Sequence, residues 1–465
     1  MTKEKIKKRT VAVFLFSLMF AVFPELIFSQ FSHGLFMAEN YPQNSQINPA
    51  VMLHGDNAFF IGIPLINRID NEIRSSFKYD DYLTYRDDSL YLNPEGLLNS
   101  LKDQNILSEN TTINLLYLGI KSGDNEFRFG MSFKSAFYNQ YSKNFLSLFL
   151  LGNEQFVGKT TDFSGNNSSS TIYQEIFFSY SRKISPELSI GITPKFLIGN
   201  MNFNIEKADF TLKIDEDTYV HSGSADIKIN TSVDAQSFSE FYDNLDRFGR
   251  LGFTNNLGYA IDLGVKYNPL SNLSFAASLV DLGRIKWNEP VKNYEIKTDS
   301  ASFEGIFLEN IFDDKTFTGN LTDKLFDELK ENFDFTETEN AYHTNLVPKI
   351  TFSGTYTFFD KNKAAIIYYG ELFDQRAISS FSINYMRQIG SFLNLGINYY
   401  NFDFTSHNLG FTVLINAGAL QLYFATNSIV GMINPQHTNL YNVNFGVNLV
   451  FNKHKNVELI DETGE

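Results

Sequence analysis

Two aspartates and the cations near them are the residues of this chain whose types and spacing invite chemistry. Asp262 lies inside an otherwise apolar segment, Leu257 to Tyr267, and Asp281 closes the next one, Asn272 to Asp281. Successive side chains of a strand point to opposite faces, so Asp262 is turned away from Tyr259, Ile261 and Leu263 and shares its face with Lys266. Asp262 is expected to pair with Lys266, or with Arg284 or Lys286 beyond Asp281. Such a set suits a salt network that braces an enclosed space, or a gate met by a passing solute. Catalytic chemistry finds less support. The seven histidines are scattered with no pair at metal-ligand spacing. No Gly-x-Ser-x-Gly elbow occurs, and Gly264 and Gly283 lack the spacing of a phosphate loop. Cysteine is absent, which excludes a disulfide, a thiolate metal site, a catalytic thiol and a lipid-modified amino terminus. Asp215-Glu216-Asp217 and Asp313-Asp314 cluster oxygen ligands of the kind calcium takes, yet solvated loop tips are the expected reading. No enzyme, no cofactor and no metal are expected.

These aspartates need walls around them, and the pattern that supplies the walls is clearest between Leu346 and Phe451. Tyr441, Val443, Phe445, Val447, Leu449 and Phe451 occupy one parity, and Asn442, Asn444, Gly446 and Asn448 the other. Ile350, Phe352, Gly354, Tyr356 and Phe358 alternate in the same way with Thr351, Ser353, Thr355 and Thr357. Segments of roughly 9–11 residues, apolar on one face and joined by short turns, are what a membrane-spanning barrel requires. The 47 Phe and 24 Tyr against a single Trp fit a barrel with aromatic girdles. A net charge of −15 argues against nucleic acid. The expected fold is all-β, a closed antiparallel transmembrane barrel of about 14 strands, with 16 if the hairpin over 202–233 joins the wall. Charge on that hairpin, Glu206, Asp209, Lys213 and Lys228, favours its standing above the membrane, because Lys on a lipid face at mid-depth costs about 2–4 kcal/mol.

In order along the chain, residues 1–29 read as a cleaved signal peptide, with a basic start and an apolar run from Val11 to Phe23 ended by Pro24. Residues 30–57 form an amino-terminal segment in the lumen, and 58–451 the barrel. Extra-membrane excursions are expected at 70–103, 202–255 and 288–345, the last holding a helix over Thr322 to Glu331, with a polar tail at 452–465. Lys143 to Leu151 is apolar without alternation and ends at Gly152-Asn153, so it predicts a short helix in the lumen or at the rim. Asn48, Pro49 and Ala50, with Phe145, Leu148 and Phe149, are the candidate plug residues. Pro194, inside a wall strand where it removes a ladder donor, is the candidate kink.

Asn48-Pro49-Ala50 ahead of the first strand resembles the start of FadL-like outer-membrane proteins, which include hydrophobic-compound transporters and barrels tied to type IX secretion. Leu151-Gly152-Asn153-Glu154-Gln155-Phe156-Val157-Gly158-Lys159, Gly258 to Gly264 and Val280 to Trp287 are similar to an uncharacterised group of exported barrels among them. The resemblance implies an outer-membrane location in a Gram-negative bacterium, contact with outer-membrane lipid, and a lumen partly filled by the amino-terminal segment. It supplies no substrate; with the alternating strands and the leader, the expected role is binding or passive transport of a small hydrophobic ligand. A non-conducting scaffold for a secretion-system or surface protein is the alternative.

Overall fold

The computed structural model describes residues 33–453 except 56, 87–88, 234–251, 304–333, 375 and 404–405. The expected signal peptide, the helix over Thr322 to Glu331 and most of the polar tail lie outside the described residues.

Fourteen antiparallel strands close into one barrel. The first, β1, is made of two pieces, Asn57–Gly62 and Ile69–Ser75. There follow β2 (Gln104–Ser122), β3 (Asn125–Ser142), β4 (Asn167–Lys183), β5 (Leu188–Ile214), β6 (Leu257–Leu270) and β7 (Leu273–Trp287). The second half is β8 (Lys349–Phe358), β9 (Asn362–Phe373), β10 (Arg376–Ile389), β11 (Leu393–Phe402), β12 (Ser406–Ala417), β13 (Leu420–Thr426) and β14 (Leu440–Lys453). Each pairs with its neighbour in the chain, and β14 returns to β1 through Asn57↔Lys453 to Gly62↔Asn448 and Ile69↔Phe445 to Arg74↔Leu440. Short turns such as Gly123-Asp124 and Gly418-Ala419 gather at the end where Asn57 and Lys453 meet. The longer excursions leave from the other end.

Burial is inverted relative to a water-soluble protein. Phe178, Phe275, Phe352, Ile366, Ile383 and Leu409 are exposed on the outer face, while Asn442, Asn444 and Asn448 are fully buried on the inner one. Polar groups collected inside and apolar side chains outside is the arrangement lipid selects for a spanning barrel. None of the described helices is long and apolar enough to cross a membrane.

The hairpin over 202–233 does not join the wall. β5 runs for 27 residues, over twice the roughly ten a span needs. Only its first part lies between β4 and β6, the last β6 pair being Leu257↔Ile198. From Asn202 onward its edge is taken by the strand His221–Ser232, which pairs in turn with Lys292–Phe303, and that with Phe335–Thr338. This sheet stands above the barrel, carrying exposed pairs such as Lys228–Glu206 at 2.9 Å. Asp215 caps its turn by accepting from the Thr218 and Asp217 amides and the Thr218 hydroxyl, which hold its carboxyl below the usual range. The excursion expected from residue 70 begins later, because Ile69–Ser75 re-enters the wall between β14 and β2.

A candidate plug, charged cavity and wall latch

Residues 33–55 run inside the barrel, with 3-10 turns at His33–Met37 and Pro42–Gln46. Asn48-Pro49-Ala50 is the tightest point of contact. The Asn48 amide donates to the carbonyls of Val265 at 3.2 Å and Ala277 at 3.1 Å, and its oxygen accepts from the Ala50 N–H at 2.9 Å. The Pro49 carbonyl accepts from Arg128 and Ser181, and the Val51 carbonyl from Arg128 at 2.6 Å. Two wall glycines make room. A Cβ at Gly264 would strike the Asn48 amide oxygen, and one at Gly191 the Pro49 carbonyl. Glycine is used here for close approach. Leu53 donates its N–H to Glu126 at 2.8 Å and accepts from Lys121 at its carbonyl.

Lys266 faces inward as its parity requires, but its partner is Glu39 of this segment at 2.8 Å and not Asp262. Asp262 pairs instead with Lys195 of β5 at 2.8 Å and accepts the Asp281 N–H at 2.8 Å. Asp281 is the hub: Lys195 and Lys349 each lie 2.7 Å from it and Lys134 3.4 Å. Glu175 completes the set, 3.0 Å from Lys134 and 3.6 Å from Lys195. Three cations thus face three carboxylates inside the wall. A bulge explains both the hub and the misplaced partner. Ile261 pairs with Leu282 but Leu263 with Leu279, so Val280 and Asp281 together oppose Asp262, with Asp281 at φ 60°. The extra residue swings Asp281 inward and reverses parity beyond it. Arg284 therefore points outward over the Tyr259 ring at 5.7 Å, Lys286 is exposed, and Ile285 and Trp287 are buried. Lys134, Lys195, Glu175 and Lys349 escaped the sequence reading because each comes from a strand remote in the chain; inward parity on those strands was the signal that could have found them.

This network borders a cavity of about 80 Å³ with mixed polar and apolar walls, lined also by Gln46, Arg68, Asn110 and Tyr117, and a second of about 20 Å³ lies by Glu39 and Asn48. A second brace sits toward the excursion end, where Arg74 joins Glu371 and lies 3.1 Å from Glu72.

The wall is interrupted at 63–68. Six residues there stand opposite two on β14, between Phe445 and Asn448, and three on β2, between Ile113 and Tyr117. Leu65 and Ile66 are exposed outward, Leu65 at φ 66°, a conformation rarely taken by a side-chain-bearing residue. The backbone keeps the wall closed here, with the Ile63 N–H donating to Val447 at 3.1 Å and the Val447 N–H to Ile66 at 3.0 Å. On the other side the Leu65 N–H donates to Asn114 at 3.1 Å and the Asn114 N–H to Arg68 at 3.0 Å. Asn67 turns inward behind this outward loop. Its amide donates to the carbonyls of Ile63 at 3.0 Å and Asn114 at 3.3 Å, while Asn114 donates to its oxygen at 3.0 Å. From the plug, Gln43 donates to the Asn67 carbonyl at 2.7 Å, and Arg68 reaches Gln46. Pro194 makes no such break. It is exposed on the outer face and pairs with Ile261, and the β4–β5 register is the same on both sides of it, Tyr180↔Ile192 and Phe177↔Lys195. The β4–β5 ladder loses its pairs opposite Pro194 and Thr193, as a missing donor requires, but the larger departure from regular register is at the Pro64 loop.

The helix Lys143–Leu151 forms as expected, capped by the Ser142 hydroxyl on the Phe145 N–H and by Gly152 at φ 80°. It sits at the rim and not in the lumen. Phe145 and Leu148 pack with Phe156, Phe163 and Phe210 against the extended end of β5, because the neighbouring apolar surface lies there. Phe149 belongs to the same helix.

Solved structures similar to this chain include the Ralstonia pickettii toluene transporter TbuX, at 10% identity over 89% of this chain and 95% of that one, with a TM-score of 0.39. A FadL homologue of Pseudomonas aeruginosa matches at 11% identity, the same coverages and a TM-score of 0.42. The translocator domain of the autotransporter NalP from Neisseria meningitidis matches at 7% identity, over 91% of this chain and all of that one, with a TM-score of 0.29. No curated protein matches. Residues 49–427 match the model of the family described as "Family of unknown function (DUF5723)", and the chain belongs to that family.

Proposed function

We propose that the protein is an outer-membrane barrel of FadL-like type, exported in a Gram-negative bacterium by a cleaved leader, that passes small hydrophobic compounds passively and releases them sideways into lipid. The supporting observation is the outward loop at 63–68, where β1 loses its regular register with both neighbours, keeps four backbone hydrogen bonds to them, and is backed from inside by Asn67 and by Gln43 of the plug. An apolar solute does not follow the lumen end to end, since the ion pairs around Asp281 would be desolvated without compensation. A side exit beside exposed Leu65 and Ile66 spares it that passage.

Purified protein in liposomes, assayed for uptake of a monoaromatic compound such as toluene, tests this reading. Replacing Asn67→Ala removes two donated hydrogen bonds, so uptake is expected to rise on the order of tenfold. Equal uptake by protein-free liposomes, wild type and variant would overturn it. A scaffold role is the second reading, favoured by the sheet that β5 carries above the barrel. Cross-linking in membranes that captures a stoichiometric protein partner, with no solute uptake, would select it.

A further inference from the structure

The bulge at Val280–Asp281 acts on the outside of the wall as well as the inside. It turns Arg284 and Lys286 outward, and both are exposed. Their ladder partners face the same way. Asn345 stands opposite Arg284 and His343 opposite Lys286, both exposed, while Thr344 and Trp287 point inward and are buried. On the other side Tyr259 pairs with Arg284 and lays its ring 5.7 Å from the guanidinium carbon. A small cationic patch with one aromatic flank is the result.

Its height on the barrel is what makes the patch informative. Leu273 starts β7 at the short-turn end, and about ten regular steps lead from it to Arg284 once the extra residue of the bulge is left out. At about 3.3 Å a step and a tilt near 40°, those steps climb about 25 Å, the height of the apolar band of such barrels. Phe275 and Leu282 on β7, Leu263 on β6 and Phe196 on β5 are exposed and apolar on the same outer face. Arg284 and Lys286 thus stand at the edge of the band, where the cost of a cation on the lipid face falls away and headgroups begin. Long excursions at this end place that edge in the outer leaflet.

The protein leaves these charges unmatched. Among the described residues no carboxylate lies within ion-pair distance of Arg284 or Lys286, and Glu289, the next carboxylate along the chain, accepts from the Asn255 amide. Elsewhere at this end Arg376 and Lys102 share Asp403 at 3.1 and 3.3 Å, and Lys228 meets Glu206 at 2.9 Å. Two like charges about 6.6 Å apart along a strand, at the border of a low-dielectric slab, call for an anion from outside.

We propose that Arg284 and Lys286, flanked by Tyr259, His343 and Asn345, form a docking site for the phosphorylated headgroup of an outer-leaflet lipid. The guanidinium, steadied on the Tyr259 ring, can donate two parallel N–H bonds to phosphate oxygens, and Lys286 adds a point charge. Acyl chains then lie along exposed Leu282 and Phe196. The inference rests on the barrel standing in a membrane with its excursions outward, and not on the passage of any solute.

The full chain, purified in neutral detergent, is mixed with a diphosphorylated glucosamine-disaccharide lipid or with the same lipid stripped of its phosphates. Bound lipid is counted by native mass spectrometry, each variant being checked for heat-modifiable migration as a folded barrel. The phosphorylated lipid is expected to be retained about tenfold better than the stripped one. Arg284→Gln/Lys286→Gln should lose that advantage, Arg284→Lys should weaken retention several-fold because the planar fork is gone, and Lys228→Gln should change nothing. Equal retention by the folded double variant and the wild type would overturn the proposal. So would release of the lipid by millimolar inorganic phosphate, which would make this a site for a free anion.

Discussion

Lys195 shows what single residues do in this lumen. Its ammonium touches Asp262, Asp281 and Glu175, and its side chain is 5% exposed. Lys195→Met leaves those carboxylates short of a cation, and breaking a buried pair costs about 3–5 kcal/mol. Urea unfolding in lipid vesicles should register that loss, and an unchanged midpoint would count against a bracing role. The glycine niches allow a sharper comparison. Gly264→Ala is expected to dislodge Asn48 and make residues 33–54 accessible to added protease. Gly354→Ala, whose new methyl would meet only the Phe275 ring at 3.5 Å, should leave the digestion pattern as it was. Parity alone placed Asp262 and Lys266 on the inside correctly. It gave Lys266 the wrong partner, because Glu39 arrives from a segment with no periodicity to read.

Among the elements, two irregularities in the wall matter more than any regular strand. The bulge at Val280–Asp281 delivers the hub aspartate and buries Trp287, whose indole N–H donates to Thr344 at 2.8 Å. Deleting Val280 should restore simple alternation, with Asp281 alone opposite Asp262, and should leave Trp287, the only tryptophan, facing inward and shielded from quenching by brominated acyl chains. The wild-type residue, facing inward, should resist that quenching. The interruption at 63–68 is the second irregularity, and Pro194 is its control. Pro194→Val returns a ladder donor on the outer face and should leave toluene uptake within about twofold, whereas Asn67→Ala should not. Neither irregularity shows in a pattern of period two, since a bulge adds a residue without changing composition. Pro64 marked the interruption no more strongly than Pro194 marked the place where none exists.

For the whole molecule, the inverted burial has a direct consequence. Outward Phe and Tyr rows require detergent or lipid, and the folded barrel should migrate faster than its boiled form on a denaturing gel. A freely soluble monomer without detergent would contradict the inverted burial itself. Limited proteolysis in the connections of the sheet built on the far half of β5 should remove its outer strands while the barrel stays intact, because among the described residues the strands His221–Ser232 and Lys292–Phe303 pair with the barrel through β5.

Alternation by itself determined the fold class and the outward face of nearly every strand, since a two-residue period admits only one greasy side and a membrane only one way to use it. The count stayed between fourteen and sixteen until the pairing of 202–233 was seen. The absence of cysteine excluded thiol chemistry in the same direct manner. Which inward charges meet was decided only by closure. β3, β4, β5, β7 and β8 bring Lys134, Glu175, Lys195, Asp281 and Lys349 to one place across gaps of up to 215 residues of chain, counting from Lys134 to Lys349, and one inserted residue decides which side of the wall Asp281 faces.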